Sequence, residues 1–207
     1  AKLIHYTRTF DDKVRTFCSN PGGFVSSEYY DGHLAVVNGH SYKNLKSDNT
    51  NFALLVSQKF TEPFNAPIEY GRHIARLANM LTRNKILVQR FGDLVRGRRT
   101  TSERLYRNNI IPTLKDAVPG DLSLVLPHRI LMDIIEMIRS LDKVSPGLAS
   151  DETLLYGVEV KFYSNIIKVD QSFQSPSVKN LYFCGDGAGI TRGLMQASVN
   201  GVLIARR

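Results

Sequence analysis

The sequence predicts a mixed fold, α+β in its first part and α/β in its last part, and three observations support this. Short apolar and β-branched runs recur over residues 14–60. Helical periodicity follows, most clearly over about 127–141. The last thirty residues have the pattern of a strand, a glycine-rich turn and a helix. We therefore predict a β-rich domain with helices over 1–150, followed by a strand–turn–helix segment over 151–207.

The individual elements follow from turn signals and periodicity. Asp31-Gly32 lies between two β-branched runs and predicts a hairpin. Pro127 suits the first turn of a helix, and Pro146-Gly147 marks the predicted domain boundary. Strands are predicted over 14–18, 24–30, 34–38, 52–56, 86–89, 154–161, 166–169 and 181–184, and helices over 69–82, 127–141 and 191–204, with a loop and a short helix in the arginine-rich segment between.

Composition limits the possible classes of protein. The 207 residues are 43% hydrophobic and carry a formal charge of +8, which suits a globular core. No apolar run approaches the roughly twenty residues of a membrane span, and no signal peptide is evident. The cysteines, Cys18 and Cys184, lie in apolar stretches, so we expect buried thiols and a cytoplasmic protein. The histidines show no spacing typical of a metal site.

The positive charge is partly concentrated in one segment, and two interpretations of it remain open. Either the segment is a solvated face with some ligand-binding arginines, or it is a surface for nucleic acid. Nucleic-acid surfaces usually place aromatic residues among the basic ones, and here only Phe91 and Tyr106 do so. We therefore do not expect nucleic acid as a partner. The arginines of this segment are Arg90, Arg96, Arg98, Arg99, Arg104 and Arg107.

The glycine-rich turn near the end, residues 185–193, carries a single acid, Asp186. A tight turn between a strand and a helix brings backbone N–H groups and the positive end of the helix dipole towards an anionic ligand. In open α/β sheets, ligands bind at the carboxyl ends of the strands. We expect the carboxylate of Asp186 to point out of that end.

The order NLYFCGDGAG (180–189) followed by GLMQASVNG (193–201) resembles the C-terminal FAD motif of two-domain FAD-dependent oxidoreductases. The nearest group is the FAD-dependent, or NAD(FAD)-utilising, dehydrogenases. This resemblance implies that 151–207 supplies the closing strands and helix of a Rossmann-like FAD/NAD(P)-binding domain. It also implies that Asp186 binds the ribityl chain of FAD. The residues implied to lie beside the pyrophosphate and the pyrimidine end of the flavin are Gly185, Gly187, Gly189, Ile190, Thr191 and Gly193.

Proteins of this group begin with a strand and Gly-x-Gly-x-x-Gly, which binds the ADP half of the cofactor. Nothing of that form begins this sequence, and Arg192 stands where a match starting at Gly187 would need its third glycine. We therefore expect a C-terminal portion of a longer flavoprotein, without its N-terminal dinucleotide-binding βαβ unit. On this expectation the partner of the chain is the N-terminal FAD-binding segment of the same protein, and the fragment alone is inactive.

The resemblance extends to runs in the predicted substrate domain. The run RTFCSNPGG (15–23) recurs in the dehydrogenase group and would face the flavin pocket, although from its residues alone it is equally a tight loop capped by Asn20. Amides and hydroxyls at strand ends suit either turns or a polar pocket. His40 is interpreted as structural. The predicted substrate-pocket residues are Arg15, Cys18, Asn20, Asn38, Ser41, Asn51 and Arg99.

Two cationic side chains have a structural and a functional interpretation each. Lys161 is expected on the same strand face as Glu159, either as a surface charge pair or as a lysine that stabilises negative charge on the reduced flavin. Because GVEVKFY (157–163) also matches the dehydrogenase group, Lys161 is the candidate catalytic residue. Arg99 is either solvated or binds an acidic substrate or the phosphate of a nicotinamide cofactor.

The function predicted from the sequence is therefore the C-terminal portion of an FAD-dependent oxidoreductase with a small-molecule substrate. FAD is the expected cofactor of the complete protein, with NAD(P)H as a further candidate for regenerating it. No membrane partner is expected. The alternative is a basic module that binds anions or nucleic acid and has no redox activity.

Overall fold

The computed structural model describes residues 2–30, 32–161 and 166–206. The chain divides into two compact units, Ala1–Val160 and Lys161–Arg207. The predicted assignment of a substrate domain and a closing segment stays a prediction, because this division does not show what either unit binds.

The first sheet of the first unit has the order β1-β2-β5 and is antiparallel throughout. Strand β1 is Ile4–Tyr6, β2 is Lys13–Asn20 and β5 is Asn51–Ser57. Val14 of β2 is fully buried and lies opposite Val56 of β5. Strands β2 and β5 confirm the predicted runs. Strand β1 was not predicted, because three residues are too few for a recognisable period.

The second sheet is the predicted hairpin, formed by β3 (Phe24–Tyr30) and β4 (Leu34–His40). Gly32 has a φ of +80°, which glycine adopts without steric cost. Asp31, the other residue of the predicted turn, lies outside the described residues. The hairpin itself is confirmed.

The third sheet has the order β7-β6-β8, with β6 parallel to β7 and antiparallel to β8. Strand β6 is Leu87–Arg90, β7 is Val118–Pro119 and β8 is Leu154–Gly157. The predicted strand over 154–161 therefore ends four residues early, and Glu159 and Lys161 do not lie on a strand. The arginine-rich segment forms two short helices, α2 (Phe91–Val95) and α3 (Ser102–Tyr106).

Two amphipathic helices cover the sheets, as their periodicity predicts. Helix α1 is Pro67–Thr82, with Pro67 in its first turn, and helix α4 is His128–Asp142. Each fully buried aliphatic side chain contributes about 1.5–3 kcal/mol to folding. The main core joins α1, α4, β4 and β6, and it includes Val36, Ile74, Ala78, Leu87, Phe91, Leu131, Ile135 and Ile138.

The second unit holds a single turn of 3-10 helix at Asp186–Ala188 and helix α5, Leu194–Ala205, which confirms the predicted final helix. The strands predicted over 166–169 and 181–184 do not form; Tyr182 makes only an isolated bridge with Gln174. A strand needs at least one neighbouring strand that pairs with its backbone groups over several residues. Within 166–206, only the segment around Gln174 pairs with 181–183.

Across the described ranges, no helix combines the length and the apolar character required to cross a bilayer.

Candidate functional site

A polar cluster lies where β2 and β4 end and β5 begins, and we define it as Asn20, Asn38, Gly39 and Asn51. The Asn20 side chain donates from Nδ2 to the carbonyl of Cys18 at 2.8 Å and to Asn51 Oδ1 at 3.0 Å. Residues 20 and 51 are partners in the β2–β5 ladder. The structure therefore brings together two of the predicted pocket residues that lie thirty-one positions apart.

Gly39 makes this close approach possible. A Cβ at position 39 would lie 2.3 Å from Asn51 Oδ1 and 2.4 Å from Asn20 Nδ2, well inside van der Waals contact. The backbone N–H of Gly39 donates to Asn38 Oδ1 at 2.8 Å, and Asn38 Nδ2 donates to Glu28. Asn38 is thus tied to the same cluster through its neighbour.

Asn51 retains one unsatisfied group. Its Nδ2 is buried, and no acceptor contacts it among the residues that the structure describes. Leaving a buried donor unpaired costs about 1–3 kcal/mol, so such a group in a folded protein calls for an explanation. The amide can therefore supply a hydrogen bond to an acceptor that is not part of the described chain.

Strand β2 is irregular beside this cluster. Its register with β5 shifts between Phe17 and Asn20, and Cys18 has a left-handed φ of +47°. Bulges of this kind redirect side chains and are common next to active sites. Cys18 and Cys184 are both exposed, so the expectation of buried thiols is wrong. At position 18 the cause is the bulge, which interrupts the alternation that would have turned the side chain inwards.

Two further predicted pocket residues make local contacts. The Arg15 guanidinium lies 5.4 Å from the ring centroid of Phe17 on the same strand. Ser41 is exposed, and its hydroxyl accepts a long hydrogen bond of 3.4 Å from Lys46 Nζ. Neither contact joins the polar cluster.

The glycine-rich turn of the second unit is built around Asp186. Its Oδ1 accepts hydrogen bonds from Thr191 Oγ1 at 2.5 Å and from the backbone N–H of Gly193 at 3.1 Å. Gly185 and Gly189 have left-handed φ values of +76° and +72°, which explains why glycine occupies both positions. The carboxylate of Asp186 was expected to point out of the end of a strand. It instead contacts Thr191 and Gly193 of the turn itself.

The outer surface of the turn is open. A Cβ at Gly187 would have nothing within 4 Å, so ligand atoms could approach the backbone there. Helix α5 follows immediately, and its N-cap, Gly193, provides no capping side chain. The first N–H groups of a helix need partners, and anions are suitable ones. Ile190 and Thr191 line an apolar groove of about 450 Å³ beside the helix.

Comparison with known proteins distinguishes the polar cluster from the glycine-rich turn. The model of the family described as "FAD-dependent protein, C-terminal domain-like" matches residues 2–162. The chain belongs to this family. The match includes the polar cluster and ends before the glycine-rich turn, so the family supports the link between FAD and this chain without assigning the turn a role.

One curated relative of this family member is an uncharacterised protein of Clostridium beijerinckii. The two sequences are 29% identical over 213 residues, which cover 99% of this chain. The same alignment covers 39% of the relative. The chain therefore spans about two fifths of the length of the relative that it matches.

In this family member, the arginine-rich segment is mostly committed to internal contacts. Asp93 is completely buried and accepts hydrogen bonds from Arg98 Nε at 2.7 Å and from Thr100 Oγ1 at 2.8 Å. Burial opposes ionisation of Asp93, but these hydrogen bonds and the charges of Arg98 and Arg90 outweigh it and hold its pKa below the ordinary value. The acid thus joins helix α2 to the loop that follows it.

Other arginines of the segment also face carboxylates. Arg96 contacts Asp151 at 2.6 Å and Arg107 contacts Glu103 at 2.5 Å. Arg99 is exposed, and no ion pair to its guanidinium occurs within the described ranges. A surface for nucleic acid needs unpaired cations, so this pairing weakens the nucleic-acid alternative and leaves Arg99 as the accessible candidate.

Lys161 is exposed and begins the second unit. Its predicted motif continues to Tyr163, and residues 162–165 lie outside the described part of the chain. No group of three or more potential metal ligands occurs among the residues that are described.

Sequence reasoning missed the buried acids of the first unit. Asp133 lies on the buried side of α4 beside Met137 and Ile138, with no exposed surface. An acid at an apolar position of a helical pattern was the available signal. Asp93 offered a similar signal, since it stands between apolar residues in a segment rich in arginine.

Proposed function

We propose that the complete protein is an FAD-dependent oxidoreductase and that this chain supplies its C-terminal portion. The observation that carries this proposal is the family match over residues 2–162. The greater length of the Clostridium relative supports it, because a flavoprotein needs a dinucleotide-binding segment as well. When bound, FAD would accept two electrons from a small-molecule substrate, delivered as a hydride.

We further propose that the glycine-rich turn contributes to the FAD site. Three features fit an anionic, extended ligand: the open backbone at Gly187, the left-handed glycines and the uncapped N-terminus of α5. Asp186 would hold the turn in shape through Thr191 and Gly193. Gly185, Gly189 and Ile190 would allow or line the approach.

The polar cluster is the proposed substrate-facing part of the first unit. The buried Nδ2 of Asn51 can donate a hydrogen bond to a carbonyl or hydroxyl oxygen, and Asn20 and Asn38 fix its surroundings. Cys18 stands at the neighbouring bulge, and Arg99 remains the proposed contact for an acidic group. Lys161 is proposed to stabilise negative charge on the reduced flavin, and NAD(P)H to reduce the oxidised flavin.

The proposed partner of α5 is the N-terminal FAD-binding segment of the same protein. Helix α5 is strongly apolar, and Met195, Val199 and Leu203 follow one another on a single face at helical spacing. These side chains are 77%, 51% and 52% exposed. Apolar faces of this kind normally pack against another element.

The test is the visible absorbance spectrum of the purified full-length protein after incubation with FAD. We expect a flavin band at close to one FAD per protein in the parent and a clear loss of occupancy in an Asp186→Ala variant. Asp116→Ala, which removes an exposed acid elsewhere, is the matched control and should retain the band. A parent protein that binds no flavin would refute the proposal.

A further inference from the structure

A cleft in the first unit lies between the tip of the β3–β4 hairpin and helix α1. It has a volume of about 310 Å³, which is close to the lower limit for pockets that bind small molecules. The hairpin contributes Gly32, His33 and Leu34, and the helix contributes Arg72, Arg76 and Met80. None of these residues belongs to the polar cluster or to the glycine-rich turn.

A specific set of hydrogen bonds joins the two walls of the cleft. Asn79 is buried on α1, its Oδ1 accepts from the backbone N–H of Ala35 at 2.8 Å, and its Nδ2 donates to the carbonyl of Ala35 at 2.7 Å. A second donation from Nδ2 reaches the carbonyl of Ala75 at 2.9 Å. The hairpin is therefore fixed on the helix next to the cleft, so the cleft is a formed feature of the fold.

The helix wall is cationic. Arg72 and Arg76 lie one turn apart, so their side chains share a face of α1. Arg72 is half-buried. Arg76 Nη1 lies 3.8 Å from a carboxylate oxygen of Glu69, and both side chains are about 60% exposed, which makes this a weak pair. Among the described residues, the lining contains no carboxylate.

The remaining groups suit an oxyanion carried on an apolar body. The imidazole of His33 and the amide of Asn84 can add hydrogen bonds, and Leu34 and Met80 provide apolar surface. Met80 and Asn84 place one end of the cleft at the C-terminus of α1, where the helix dipole disfavours an anion. The oxyanion is therefore expected at the other end, beside Arg72 and Arg76. Arg76 lies more than one turn before the last residue, Thr82.

We propose that this cleft binds the phosphate or carboxylate group of a small molecule, with Arg72 and Arg76 as its principal ligands. Paired guanidinium groups are well suited to such oxyanions because each can donate two parallel hydrogen bonds. The proposal is independent of FAD binding, because it uses neither the glycine-rich turn nor the polar cluster.

Calorimetric titration of the full-length protein with inorganic phosphate and with acetate tests the proposal, at an ionic strength matched with chloride. We expect saturable binding of at least one of the two anions, and the tighter one identifies the group that the natural ligand carries. Arg72→Gln should weaken binding about tenfold or more, since a charge-assisted hydrogen bond contributes about 1.5–3 kcal/mol. Arg72→Lys should restore part of the loss.

Arg139→Gln is the control, because it removes an exposed arginine from helix α4 and lowers the net charge equally. Binding that survives in this variant and fails in Arg72→Gln and Arg76→Gln would support the cleft as the site. Equal weakening in all three variants, or no saturation above the chloride baseline, would overturn the proposal. Thermal unfolding of each variant without added anion shows that its fold is intact.

Discussion

Thr7 and Asp133 form a buried hydrogen bond that joins the turn after β1 to helix α4. The hydroxyl of Thr7 donates to Asp133 Oδ1 at 2.8 Å, and Asp133 has no exposed surface. Asp12 lies at the end of the same turn and pairs with Arg129 of α4, with 2.5 Å between Nε and Oδ2. The two acids at this junction therefore differ in their partners: Asp12 has a cationic partner in Arg129, whereas buried Asp133 accepts a hydrogen bond from the neutral hydroxyl of Thr7.

Asp133 is expected to make stability depend on pH. Burial, with a smaller effect of Asp12, raises its pKa. A raised pKa means that the stabilising contribution is complete below the unfolded-state pKa and is lost as pH rises through the folded-state pKa. Asp133→Asn should abolish this loss, and urea unfolding at a series of pH values measures it. Asp116→Asn is the control, and an unchanged slope in Asp133→Asn would contradict the prediction.

Glu136 should give stability the opposite dependence on pH, with a loss as the pH falls. Burial opposes its ionisation, but hydrogen bonds from the backbone of Arg8, from His5 and from Thr9 lower its pKa to about 2. The stabilisation is therefore present above about pH 4.5 and is lost as the pH falls towards about 2. Glu136→Gln should cost roughly 1–3 kcal/mol at neutral pH.

The same unfolding series compares it with Glu103→Gln, whose partner Arg107 is largely exposed and whose loss should be near zero. Equal costs for the two variants would show that the contacts of Glu136 contribute nothing special.

Gly39→Ala tests the packing of the polar cluster. The new methyl group would overlap Asn51 Oδ1 and Asn20 Nδ2, and overpacking of this kind costs about 1–3 kcal/mol. Gly201→Ala is the matched control, because nothing lies within 4 Å of its Cβ position on helix α5. We expect that control to be neutral or stabilising by up to about 1 kcal/mol. Chemical denaturation of both variants decides between them.

Asp93 and Asp151 offer a comparison between a buried and an exposed partner of arginine. Asp93→Asn leaves Arg98 and Arg90 without their buried countercharge, which should cost about 3–5 kcal/mol. Asp151→Asn disrupts a pair with Arg96 in which both side chains are about half exposed, and should cost less than about 1 kcal/mol. Thermal unfolding that gives the two variants equal losses would contradict this assignment.

Periodicity predicted the elements that have a strong apolar pattern. Helices α1 and α4 and strands β2 to β5 follow from it because each buries one face or one continuous run. The strands predicted over 166–169 and 181–184 do not form, although their apolar runs are similar. Whether an apolar run becomes a strand depends on a neighbour for its backbone groups, and residue pattern alone does not specify that neighbour.

In the candidate site, too, the sequence predicted individual residues but not the tertiary contacts between them. Asn20 and Asn51 were both predicted as pocket residues, but from separate parts of the sequence. Only the β2–β5 register shows that their side chains are in contact. The arginine-rich segment was judged by its own composition. Its partner Asp151 lies far along the chain, so the internal pairing depends on tertiary contacts. Arg72 and Arg76 were not predicted as site residues for the same reason, because the hairpin that faces them is distant in sequence.

The attachment of the hairpin to α1 also protects one edge of strand β4 from pairing with another chain. Strand β4 pairs with β3 on one side, and its other edge would be open to an incoming chain. There the Asn79 amide takes both backbone groups of Ala35, and the N–H of Val37 donates to the carbonyl of Val158. A side chain thus imitates a peptide group and seals the edge. Replacing Asn79 is expected to leave both backbone groups of Ala35 unpaired at this edge, which would weaken the fold and favour edge-to-edge pairing.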